Sequence, residues 1–336
     1  WDITDETIDA GEWILPDKGG FIVDFVPLRD VGIIYRENEL WQMQYSPDTA
    51  IFRFTRLFEN IGVLTRDCAK EFFSGKHVIF TGDDIVLMEG VSAKSILDER
   101  HKKAINIDLA NYDKSFVAVD YANKEVLTCF PEPGREYASK AVVWNWVTDT
   151  FGVRELPDAA SIEPGIVLEG AVSDTWDEAV GVWDTDNVAW GDRTSDPTKR
   201  RLLMGSPSRM SLYAMGLTQQ FALENMEAFV ERRGLGFPVQ VNQPPDYTRM
   251  KQITNLWPKI TGSEGGVLNV YLGIQKDVSG PVTWGAARSF TIGTDTMLDF
   301  SDLEASRLHA LRIESQGNLS WRLSGYDVDV IDRGSL

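Results

Sequence analysis

A short strand-turn-strand pattern recurs along the first two-thirds of the chain and limits the fold more than any other feature. It reads VGIIY-RENE-LWQMQ from Val31 and HVIF-TGDD-IVLM from His77. It returns as FVAVD-YANK-EVLTC from Phe116, AVVWNW-VTDT-FGVR from Ala141 and RLLM-GSPSR-MSLY from Arg201. Each copy is an apolar run, about four polar or turn residues, and a second apolar run. A β-hairpin with two largely buried arms reads this way. The copies recur loosely, at about 25 to 45 residues, the spacing of propeller blades. The pattern therefore predicts antiparallel pairs at 31–44, 77–88, 116–129, 141–154 and 201–213 in one β-propeller-like body. Its most apolar arms place Val78, Ile79, Val117, Val119, Val143, Trp144 and Leu203 in the core.

Around these hairpins the chain changes character three times. FIVDFVPL, from Phe21, reads as a further strand. SAKSILDERHKKAINIDL, from Ser92, sets Ile96, Leu97 and Ala104 among charges at roughly helical spacing, with Ser92 or Ser95 as a cap. It predicts one helix inserted between strand pairs. Residues 157–200 look irregular, with Pro157, Pro164 and Pro197 among many acids. Pro244-Pro245 then sets a boundary between 235 and 248. The expected domains are a propeller-like body over 1–235, open at its N-terminus, and a second region over 236–336.

In that second region the strands lengthen: ITNLWPKITG, VLNVYLGIQ, RSFTIGTD, RLHALRIES and LSWRLSGYDVDVI. In the last, Tyr326, Val328 and Val330 alternate with Asp327, Asp329 and Ile331, and Trp321 and Leu323 extend the apolar face. One wet face and one dry face predict an antiparallel β-sandwich-like domain, with closing blades of the propeller as the alternative. The fold class is all-β.

Composition narrows the function. No run approaches the roughly 20 apolar residues of a membrane helix, so no span is expected. The chain opens at Trp1 rather than Met, which reads as a fragment or a processed product. Its 33 basic and 51 acidic residues give a net charge of −18, which argues against general nucleic-acid binding. Cys68 and Cys129 are the only cysteines and read as buried thiols rather than a bridge.

No motif for catalysis emerges. His77, His101 and His309 are far apart, with no second ligand at metal spacing. There is no HExxH, GxSxG, P-loop or GxGxxG after a strand. Asp174, Asp177, Glu178, Asp184, Asp186 and Asp192 crowd one stretch with Trp176, Trp183 and Trp190. Converging carboxylates bind calcium, and carboxylates beside aromatics bind or cleave sugars. The plainer reading is a solvated acidic surface over core tryptophans. Trp144 and Trp146 share a strand face, as a core pair or as a sugar platform. No catalytic, cofactor-binding or metal residue is assigned, and no cofactor is expected.

One segment carries a resemblance. Ser115–Pro157 resembles a recurring stretch of phage and prophage virion proteins. Its first phrase falls on Phe116, Val117, Asn123, Glu125, Val126, Cys129, Phe130 and Pro131. A second falls on Lys140, Ala141, Val143, Trp144, Asn145 and Trp146, and a third on Phe151, Val153, Arg154, Leu156 and Pro157. Phe151 stands where Trp is common. RLFENIGVLTRDCAKEFFSGKHVIFTGDDIVLMEG upstream, and GTDTMLDF and WRLSGYDVDV near the end, are also similar. The family resembled is the β-propeller tail hub or nozzle proteins of short-tailed bacteriophages and related prophages. The resemblance implies a structural virion protein, assembled in the host cytoplasm into a homo-oligomeric ring, commonly a hexamer. It implies adaptor, fibre or spike proteins as partners and genomic DNA passing without specific binding. It implies no catalytic residue. A receptor- or glycan-binding propeller is the alternative, and a glycan-cleaving enzyme a more distant one.

Overall fold

All five expected hairpins form, and they join into larger sheets. The computed structural model describes residues 13–46, 51–73, 75–166, 200–216, 220–221, 224–238, 244–315, 317 and 319–335. The first sheet holds β1 (Ile22–Leu28), β2 (Val31–Arg36), β3 (Glu39–Tyr45) and β4 (Phe52–Glu59). The second holds β5 (Ala69–Phe73), β6 (Lys76–Phe80), β7 (Ile85–Glu89) and β8 (Ser92–Ser95). The third holds β9 (Phe116–Asp120), β10 (Glu125–Phe130), β11 (Ala138–Asn145) and β12 (Thr150–Ala159). The fourth holds β13 (Ser161–Ile166), β14 (Arg200–Ser206) and β15 (Ser211–Ala214). Every one is an antiparallel meander in chain order. Their first strands begin at Ile22, Ala69, Phe116 and Ser161, which are 47, 47 and 45 residues apart. The true repeat is thus the whole sheet. The pairs at 116–129 and 141–154 are two halves of the third sheet, not separate copies.

One apolar core joins the first three sheets, with Ile33, Tyr35 and Leu40 from the first and Val78, Ile79, Phe80 and Met88 from the second. Val117, Val126, Phe130, Val142 and Trp144 enter it from the third. β9 is buried at all five positions, so both faces of the third sheet are covered. Its second face carries Ala118, Leu127, Cys129, Ala141 and Val143, all buried, on the side where β13 meets β9 and β14 meets β12. Burial on both faces explains why these strands read as near-continuous apolar runs instead of alternating. Burying each large side chain contributes about 1.5–3 kcal/mol.

Several expectations need correction. Leu203 is only half-buried; its neighbours Leu202 and Met204 take the core positions. Side chains alternate along a strand, so Leu203 turns to the other face. There it packs so closely over Gly165 that a Cβ would sit 2.4 Å from Leu203 Cδ1. The helix expected from Ser92 shrinks to one turn, α1 (Glu99–Lys102). Ser92–Ser95 pairs with β7 instead, and Ile96, Ile105 and Ile107 pack on the core without helical continuity. Asp98 caps the turn, its Oδ1 accepting the His101 N–H at 2.8 Å. Pro157 and Pro164 do not break strands, because β12 and β13 lie at sheet edges.

The chain divides into compact units at Met215/Gly216, not near 235. The reason is β18 (Ala228–Leu235), which pairs with a late strand of the second unit. That unit begins with β16 (Gln220–Phe221) and β17 (Glu224–Asn225), followed by β18 and β19 (Arg249–Gly262). Next come β20 (Val267–Gln275), β21 (Thr283–Trp284), β22 (Arg288–Thr291), β23 (Leu298–Asp299), β24 (Leu308–Ser315) and β25 (Trp321–Ser335). One sheet runs β18-β24-β20-β21, with β22 also on β20. Another runs β23-β19-β25. Both feed one core of Ile253, Leu256, Leu268, Val270, Phe290, Leu311 and Ile313.

The alternation expected in β25 is present, with one phase change. Trp321 and Leu323 face the core, then Tyr326, Val328 and Val330 do. The ladder pairs Lys259 with Gly325 and Ile260 with Leu323, passing over Ser324. This bulge moves the apolar face from odd to even positions. Pro258 sits opposite Tyr326 at a point where β23 no longer pairs, so its missing N–H leaves no gap.

Candidate functional site

The four sheets of the first unit meet through their first strands. β1 touches β5, β5 touches β9, and β9 touches β13, in chain order. Backbone and side-chain bonds stitch this row. Asp24 Oδ2 of β1 accepts the Asp67 N–H at 2.9 Å, and the Asp67 carbonyl accepts the Val117 N–H of β9 at 2.8 Å. Asp67 adopts the left-handed conformation, with φ 64°, to point both groups. Lys70 of β5 reaches Glu163 of β13 at 2.7 Å. The row is therefore a contiguous series of short strands, linked through Asp24, Lys70 and Glu163 and through Asp67 of the turn before β5.

His77 belongs to the stitching, not to chemistry. Its Nε2 lies 2.9 Å from the Pro27 carbonyl and its Nδ1 2.6 Å from the Tyr35 hydroxyl. A carbonyl only accepts, so Nε2 carries the proton and Nδ1 accepts from Tyr35. Burial lowers the His77 pKa and raises that of Tyr35, which keeps both neutral. The trio ties the first sheet to the second.

The remaining histidines and thiols are engaged separately. His309 is buried, with Nε2 donating to the Lys251 carbonyl at 3.0 Å, and burial lowers its pKa. His101 bonds Asp98 through Nδ1 at 2.7 Å and lies against Phe151. Cys68 and Cys129 are buried and unbridged, as expected. Burial pushes the Cys68 thiol up to about 12 and raises Cys129 as well, so neither is a ready nucleophile. Among the described residues, no group of three or more His, Cys, Asp or Glu converges to hold a metal ion.

Trp144 is a core residue, and Trp146, half-buried in the turn after β11, packs against that core. Phe72 of β5 meets both rings, at 5.5 and 5.4 Å. Trp144 also stacks on Phe151 and donates to Asp149 at 3.0 Å. Polar residues of the same segment build turns. Asp120 accepts from the Asn123 backbone and side chain at 3.1 and 2.8 Å, shaping the turn that ends at Lys124 with φ 62°. Glu125 pairs with Arg154 at 3.2 Å. The phrases that carry the virion-protein resemblance thus coincide with the third sheet and its turns.

Sequence reading missed a second polar anchor. Arg36, buried, pairs with Glu39 at 3.2 Å and donates to the carbonyls of Pro16 and Gly20. Trp41 Nε1 donates to Glu39 at 3.0 Å. A Cβ at Gly19 would lie 2.5 Å from both Arg36 and Glu39, so a side chain there would displace the pair. No local motif announces this network, because its partners come from two separate segments, 16–20 and 36–41.

The basic pairs are dispersed. Arg200 and Arg201 open β14, while Arg232 bonds Tyr326 at 3.3 Å and Arg233 pairs with Glu231 on β18. The acidic, Trp-rich stretch 174–192 lies outside the described residues. No helix among the described residues is long and apolar enough to cross a membrane. No family model matches the chain, and no curated protein is significantly similar to it.

Proposed function

We propose that this protein is a structural component of a bacteriophage tail, a hub or nozzle element whose ring forms part of the DNA exit conduit. The observation that carries it is the stacking of four successive meanders through their first strands, at a near-constant repeat. In our reading these meanders are blades of a propeller-like body, and the second unit is a β-sandwich-like domain that docks neighbouring adaptor, fibre or spike proteins. Asp120 and Asn123 serve a hairpin turn, and Asp24, Asp67 and His77 serve inter-sheet links, as a rigid scaffold needs. The net charge of −18 suits a wall that must release a passing polyanion. The role needs no cofactor and no catalytic residue. Its setting is the virion, after assembly in the host cytoplasm.

Native mass spectrometry and cryo-electron microscopy of the purified chain test it. We expect a closed homo-oligomeric ring, a hexamer, with a net negative lumen. We also expect negligible binding of duplex DNA at about 0.1 M salt, where charges are felt over about 10 Å. A protein that stays monomeric at high concentration, or binds DNA at micromolar levels with a steep salt slope, would overturn it.

A further inference from the structure

We propose that a shallow cleft on the second unit binds a neutral saccharide. The inference goes beyond the tail reading and stands without it. The cleft encloses about 330 Å³ between β21–β22 and the segment that follows β23, near the small end of the range for ligand sites. Trp284 forms one wall. Its indole lies on bare backbone: a Cβ at Gly273 would come 2.9 Å from the ring. Gly285 N–H donates to the Leu272 carbonyl at 2.9 Å and fixes the chain beside it. The indole is half-buried and held in place, unlike Trp144, which is buried between ring contacts with Phe72 and Phe151.

The polar side chains of the lining are equally anchored. Arg288 lies over the Phe300 ring at 5.8 Å and bonds Asp302 at 2.5 Å. Phe300 N–H donates to the Thr254 carbonyl at 2.7 Å, and Gln252 donates to the Leu303 carbonyl at 2.8 Å. Glu304 closes the rim.

An aromatic face suits the C–H face of a pyranose ring, since the π-cloud is negative and those hydrogens are positive. A guanidinium supplies fixed donors, and carboxylates supply acceptors, for neighbouring sugar hydroxyls. One cation against two carboxylates leaves the cleft net negative, which disfavours phosphates and acidic sugars. A neutral sugar fits all three features.

The full chain labelled with 5-fluorotryptophan provides the test, with the Trp284 fluorine signal assigned from Trp284→Phe. Glucose, galactose, mannose, N-acetylglucosamine, maltose, cellobiose and lactose are titrated, with glucuronic acid as the acidic comparison. We expect at least one neutral sugar to shift the Trp284 signal saturably. Asp302→Asn, at an exposed carboxylate, should weaken that binding about tenfold, the loss of one charged hydrogen bond. Calorimetric titration of the native chain and Asp302→Asn measures the same binding if Trp284→Phe fails to fold. No response to any neutral sugar, equal binding by Asp302→Asn, or tighter binding of glucuronic acid would overturn the proposal. None of these outcomes bears on ring formation, so the two readings fail separately.

Discussion

The two units solve the same problem in opposite ways. The first spreads its core over many short strands in successive sheets, each closed within its own segment of chain. The second concentrates its core between two sheets, one of them built on the long pair β19 and β25, of 14 and 15 residues. In the first, no single ladder holds the unit together, so links between sheets matter: Tyr35–His77–Pro27, Asp24–Asp67 and the shared aromatic cluster. In the second, one extended ladder fixes the register and the core fills behind it. Rigidity can therefore come from cross-links between short modules or from the length of one ribbon.

Calorimetry of substituted chains would sharpen this contrast. Trp144→Ala should cost about 3–5 kcal/mol, lowering one unfolding transition and sparing the other. A common shift of both would break the division into two cores. Ile313→Ala, fully buried in the second unit, should cost about 2–5 kcal/mol and move only the other transition. Tyr35→Phe removes the donor to His77 Nδ1 and leaves a buried acceptor unpaired, which should cost about 1–3 kcal/mol in the first unit alone. An unchanged midpoint in denaturant would remove this link from the account.

Acid provides a test common to both units. Folding holds His77 and His309 below the 6.5 of an ordinary histidine, so the unfolded chain binds protons that the folded chain refuses. Their contribution is complete above pH 6.5 and is lost as pH falls below it. Substituting either histidine by Gln should flatten that dependence for its own unit only, as read from urea midpoints between pH 7 and 5. The smallest effect is expected at Lys70–Glu163. Glu163 is largely exposed, so Lys70→Ala should change stability by less than about 1 kcal/mol. A larger loss would mean that this pair, and not the apolar core, holds the second and fourth sheets together.

Local patterns were legible in the sequence and distant pairings were not. The hairpins at Val31, His77, Phe116, Ala141 and Arg201 could be read because turn residues and apolar runs are neighbours in the chain. The wet and dry faces of β25 were visible for the same reason. The segment from Ser92 misled, because Ile96, Leu97 and Ala104 imitate helical spacing while Ser92–Ser95 is claimed by β7. The boundary near 235 misled because proline marks local breaks, whereas β18 is assigned by its pairing with β24. At the candidate sites, Trp144 could be recognised as core from its strand. The Arg36 anchor and the cleft at Trp284 could not, since each gathers residues that only the folded chain brings together.

The meander order of the first unit also governs how the chain can form as it is made. Among the described residues no strand there is lent to another sheet, so each sheet has these partners once its own segment has left the ribosome. Such short-range pairing is the kind that forms fast. Each finished sheet then offers a face on which the next can settle, so assembly follows the direction of synthesis. β18 has no such privilege: its partner β24 lies far downstream, with Ser315 opposite Ala228 across 87 residues, and until it arrives the backbone groups of the β18 edge stand unpaired. The second unit is thus where a pause or truncation during synthesis leaves an unpaired strand edge, and where a chaperone has the most to protect.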